Sequence, residues 1–175
     1  MNTFVRYGLI SGALISVALF LPFFIFGAKP EWMKVGEIVG YSSMLLCLSA
    51  TYFAMRHEAQ RHGGIGYGAA LATGVGVSAV AGVLFGLATW VFYTAVGDAL
   101  PEAMIAFYGE QIRHSGATAA AIDSQLKELE AMRPFFFNRP LQGAVMAATV
   151  FVLGVLESLV GAWFASRRPR ALAAA

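Results

Sequence analysis

Apolar residues fall in four long runs, Tyr7–Phe26, Ile38–Met55, Ala70–Val96 and Leu141–Phe164, with short connections and one longer polar segment between them. Each run has about the 17–25 residues that carry a helix across a hydrocarbon layer roughly 30 Å thick. Charges are almost absent inside them, and a soluble core helix seldom stays apolar all round for that long. The pattern predicts an all-α membrane protein, with four transmembrane helices in one bundle and residues 1–175 forming a single domain.

The polar segment 97–139 has a pattern of its own. Met104, Ile105, Tyr108 and Ile112 recur at helical spacing, as do Ile122, Leu126, Leu129 and Met132, and His114-Ser115-Gly116 breaks the two series. Two short amphipathic helices are expected, forming an extracytoplasmic cap between spans three and four. The run Phe135–Phe137, flanked by Arg133-Pro134 and Arg139-Pro140, is expected to lie along the outer surface. Trp32, Trp90, Phe92 and Tyr93 would mark the outer interface, and Tyr7, Tyr52, Phe53 and Trp163 the inner one.

Small residues indicate how the spans associate. Gly8 and Gly12 stand four apart in the first span, and Gly82 and Gly86 repeat this in the third. In the fourth, Gly143, Ala147, Val150, Gly154, Glu157 and Gly161 alternate spacings of four and three, which places them on one narrow stripe. Small side chains let helix backbones approach closely, where dispersion and interhelical hydrogen bonds replace the hydrophobic effect. The stripe is expected to face helices, of this chain or of a second copy.

Glu157 is the one acidic residue well inside a predicted span. A charge there costs at least about 2.5–3.5 kcal/mol on insertion scales, so such residues usually face a bundle interior. Ser11 or Ser16, Cys47 or Ser49, and Thr73 or Ser78 stand at comparable depth, and no basic residue does. A protonated, hydrogen-bonded carboxyl is the expected state. It would serve as a polar clasp between helices or, alternatively, in handling protons or cations.

Composition narrows the function classes. Hydrophobic residues make up 58% and charged residues 13%, against roughly 25% charged in soluble domains. The formal charge of +2 is dispersed, which argues against a nucleic-acid partner. Cys47 is the only cysteine and reads as a buried small hydrophobe. No nucleophile elbow, metalloprotease motif or cysteine pair is present, and the glycines of Gly63-Gly64-Ile65-Gly66-Tyr67-Gly68 follow no predicted strand. They fit a tight inner turn. No catalytic residue, cofactor or metal is expected.

The first run is longer than a signal-peptide core and lacks a small-x-small cleavage site near Ala28, so an uncleaved span is expected. Basic residues number six on each side, but the Arg167–Arg170 cluster directly after the last span favours both termini inside.

Arg6-Tyr7-Gly8-Leu9-Ile10 with Gly12 opens the first span, Tyr52-Phe53-Ala54-Met55-Arg56 closes the second, and the glycine-rich turn leads through Ala70 to Thr73-Gly74. With the charged insertion and the terminal Arg167-Arg168, this pattern resembles the bacterial membrane family catalogued as domain of unknown function 4199. Members often carry a basic residue just before Thr-Gly, where Ala72 stands here. The resemblance implies a four-helix protein of the bacterial inner membrane and brings no catalytic residues. Two functions are expected from the residues: a non-enzymatic protein acting through association with itself or envelope partners within the lipid bilayer, or a small ion- or proton-coupled transporter using Glu157.

Overall fold

The computed structural model describes residues 2–27 and 30–167, and for residues 30–35 the backbone alone. The predicted Trp32 of the outer belt and the arginines after Arg167 lie outside the described side chains. Among the described residues eight helices follow one another: α1 (Thr3–Phe26), α2 (Pro30–Leu48), α3 (Ala50–Arg61), α4 (Tyr67–Val96), α5 (Ala99–Arg113), α6 (Ala119–Ala131), α7 (Arg133–Phe137) and α8 (Arg139–Ser166). Four of the described stretches are long and apolar enough to cross a membrane: Thr3–Phe26, Gly36–Arg61, Tyr67–Val96 and Arg139–Ser166.

The second span, Gly36–Arg61, runs through α2 and α3, which meet at Ser49, where neither glycine nor proline announces a change of pitch. The Ser49 hydroxyl donates to the Leu46 carbonyl at 2.6 Å, and the Tyr52 N–H bonds the Ser49 carbonyl only three residues back. One turn is thereby tightened toward 3₁₀ geometry. The inner connection does turn at the glycines: Gly63 and Gly64 take φ of +65° and +136°, values that side chains with a Cβ rarely adopt.

α4 is the central span, in contact with α1, α3 and α8. Glycines bring it close to two neighbours, those of α1 on one side and its own Gly82 and Gly86 against α8 on the other. A methyl group at Gly8 of α1 would lie 2.6 Å from the Val80 Cβ and 2.9 Å from the Val77 carbonyl oxygen. One at Gly12 would lie 3.0 Å from the Ala81 carbonyl oxygen. On the opposite side, a methyl at Gly86 would lie 2.7 Å from both the Gly143 carbonyl oxygen and the Ala147 Cβ, and one at Gly82 would lie 2.8 Å from the Ala147 carbonyl oxygen.

Toward the termini the same seam continues as a reciprocal pair. The Ser158 side chain fills the space above Gly74, and the Ser78 side chain fills that above Gly154. Both hydroxyls donate to their own helix, Ser78 to Gly74 at 2.8 Å and Ser158 to Gly154, so each can be buried without a dangling donor. Pairs whose numbers rise on α4 as they fall on α8 make the two spans antiparallel. Gly161 lies at ordinary contact distance from Met55 of α3. Gly143, Ala147, Gly154 and Gly161 of the predicted stripe thus face helices of the same chain.

In the segment expected as the cap, α5 and α6 form where the apolar spacing predicts helices, with Gly116 at φ +74° between them. Thr118 caps α6 by accepting from the Ala121 N–H. Leu129 is buried, but Met132 is 49% exposed, so the second apolar stripe ends one turn earlier than its spacing suggests. α5 rests on α2, and α6 rests on α5 and α7. Arg139 pairs with Asp98 at 3.1 Å, tying the start of α8 to the start of α5, and Arg133 with Glu102 at 3.3 Å, tying α7 to α5.

Candidate functional site: a cleft beneath the cap

The aromatic belt departs from expectation on one face of α4. Trp90 is exposed, but Phe92 and Tyr93 are buried and turn inward. Phe92 stacks on Phe20 of α1 with ring centroids 4.3 Å apart and meets Phe23 edge-on at 5.1 Å. These rings form one wall of a cleft of about 380 Å³ in the cap half of the bundle. All four spans line it, with Met44 from α2 and Met146 from α8 beside the rings, and Met104 and Phe107 of α5 completing the lining. Its size lies at the lower end of the range for small-molecule sites.

The interior of this cleft offers few free polar groups. The hydroxyls of Thr89 and Thr149 donate to Phe85 and Val145 of their own helices at 2.8 and 2.9 Å. The Tyr93 hydroxyl is turned to the Met104 sulfur at 3.5 Å. Among the described residues, Glu37 is the one charged residue lining the cleft, and it is exposed. Its Oε1 accepts a 2.8 Å hydrogen bond from the Tyr108 hydroxyl of α5, which joins span and cap. No basic side chain pairs with Glu37 among the described residues. Burial pushes the Tyr108 phenol up to about 12, helped by its hydrogen bond to Glu37, so it remains a donor at neutral pH.

Reading the sequence misses Glu37. It stands one position before Ile38, where a carboxylate signals only the edge of a span, and its partner lies 71 residues away. Gly40 is missed too: a methyl there would lie 2.6 Å from the Leu19 Cδ1, so it lets α2 close on α1 beside the cleft. The inward turn of Phe92 and the methionines Met44, Met104 and Met146 could have been suggested only by their spacing.

Glu157 lies elsewhere. It is half-buried on α8, away from the cleft lining, and accepts no hydrogen bond among the described residues. The hydroxyls expected at its depth donate to backbone carbonyls: Ser11 to Cys47, Ser16 to Gly12, Ser49 to Leu46, Thr73 to Ala69 and Ser78 to Gly74. The geometry therefore brings the small residues together and leaves Glu157 outside their contacts.

No curated protein and no solved structure matches the chain. Residues 6–167 match the family described as Protein of unknown function (DUF4199), which covers all four spans and the cap. The chain belongs to that family.

Proposed function

We propose that the protein works by binding rather than by catalysis, holding an apolar chain-like molecule from the bilayer in the cleft beneath the cap. The observation that carries this is the cleft itself, an aromatic and methionine-lined space between the span-length helices whose interior threonines are already hydrogen-bonded. Methionine and phenylalanine walls suit flexible apolar ligands because the thioether adapts to irregular shapes. The protein spans a bacterial inner membrane with both termini cytoplasmic, the orientation that the Arg167–Arg170 cluster supports, and the cap then roofs the cleft on the outer side.

Association with a second copy or an envelope protein loses its first support, because the glycine seams are occupied within the chain. Transport through Glu157 draws no support from the cleft, which that residue does not line.

The test uses the full chain in nanodiscs and dodecanol as an uncharged probe. Dodecanol is expected to raise the melting temperature of the wild type and not that of Thr149→Trp, in which an indole fills the cleft. Equal shifts for both proteins, or none for the wild type, would refute binding in the cleft.

A further inference from the structure

At Ser49 the second span changes its neighbours. Among the described residues α3 packs on the central span α4 as well as on α1 and α8, whereas α2 rests on α1, α8 and the cap helix α5. The space between α2 and α4 is the cleft, lined by Gly40, Tyr41 and Met44 from one and by Thr89, Phe92 and Tyr93 from the other. At the junction, side chains share the backbone ladder. The Leu46 carbonyl, which Ala50 would use in a regular α-helix, accepts the Ser49 hydroxyl at 2.6 Å. The Cys47 carbonyl accepts the buried Ser11 hydroxyl of α1 at 3.2 Å. Hydroxyls that compete for helix carbonyls bend helices, and a mid-helix turn of 3₁₀ character often marks a hinge.

We infer that α2 is a gate for the cleft, pivoting at Ser49 away from α4 while α3 keeps its seat on the bundle. Ser11 pins the chain to α1 just before the pivot, so the moving part is the stretch that lines the cleft, from Gly36 to Met44. The use of the gate rests on the binding function proposed above, but the motion does not. Two contacts hold the gate closed here. Gly40 sits against Leu19 of α1, and Glu37 accepts the 2.8 Å hydrogen bond from Tyr108. Both can be released: the Leu19 side chain is flexible, and the hydrogen bond is exposed. The cap stays behind when α2 swings, because Arg139 of α8 holds Asp98 and Arg133 of α7 holds Glu102. Opening therefore breaks the Tyr108–Glu37 bond, which acts as the latch.

The experiment measures distances between spin-label pairs on the full chain in nanodiscs by double electron–electron resonance. Cys47→Ala is the background, which keeps the backbone carbonyl that Ser11 uses. Labels at Ile38 of α2 and Val91 of α4 report on the gate, and labels at Phe53 of α3 and Val83 of α4 report on the fixed half. All four side chains are exposed, so the labels disturb no packing. Two distances are expected for the gate pair and one for the fixed pair. Tyr108→Phe should raise the population ratio of the longer to the shorter gate distance about threefold, in keeping with the modest net worth of one hydrogen bond. Ser49→Ala, which frees the Leu46 carbonyl for the backbone ladder, should lower it. A single narrow gate distance in both the unaltered junction and Tyr108→Phe would overturn the gate. Gate populations unmoved by Ser49→Ala, or a fixed pair that broadens in step with the gate pair, would overturn the pivot at Ser49. Two gate distances that dodecanol leaves unaltered, with no shift in melting temperature, would uphold the motion and count against the binding function alone.

Discussion

Gly86→Ala is expected to destabilise the bundle by about 1–3 kcal/mol, the usual cost of overpacking, and Gly86→Leu by more. The added methyl would meet the Gly143 carbonyl oxygen and the Ala147 Cβ, both at 2.7 Å. Neither is the end of a flexible side chain, so α4 and α8 must part along the seam. Dispersion contacts hold spans together in lipid, and they weaken quickly with separation. Gly68→Ala is the control. Nothing lies within 4 Å of a methyl there, and alanine is the better helix former by roughly 1 kcal/mol, so stability should hold or rise. Thermal unfolding in mild detergent measures both. A Gly86→Leu protein as stable as the wild type would mean that the seam does not hold the bundle.

Glu157→Leu is the second large effect, and its sign separates two accounts of that residue. A clasp that hydrogen-bonds neighbouring helices would make leucine cost a few kcal/mol, with Glu157→Gln close to neutral. The structure gives Glu157 no hydrogen-bonding partner among the described residues. Leucine should therefore leave the protein at least as stable as the wild type. The gain could reach about 2.5–3.5 kcal/mol, the insertion cost of an acid at the centre of a span. Loss of stability in the leucine variant alone would restore the clasp.

The spans were legible because length and lack of charge act over some twenty residues, and local accidents do not obscure them. The cap helices were legible for a related reason: Leu126 and Leu129 keep helical spacing, and Gly116 marks the break between them. Gly82 and Gly86 could be paired with Gly143 and Ala147 in principle, since small residues four apart advertise close approach. What stayed hidden depends on tertiary neighbours. The turn at Ser49 arises from a serine hydroxyl reaching back to Leu46, which many serines in spans do without interrupting the helix. Phe92 and Tyr93 sit where belt aromatics belong, and only the placement of α1 and α5 turns them inward. Glu37 has no signature in sequence at all, because its meaning comes from Tyr108 across the cap.

The most direct measurement is photolabelling of the full chain in nanodiscs with a dodecanol that carries a diazirine at mid-chain, followed by peptide mapping. The account predicts adducts on Phe20, Met44, Phe92 and Met146, lost in Thr149→Trp. Labelling spread over the outward residues Leu14, Val152 and Val160, unchanged in Thr149→Trp, would contradict it.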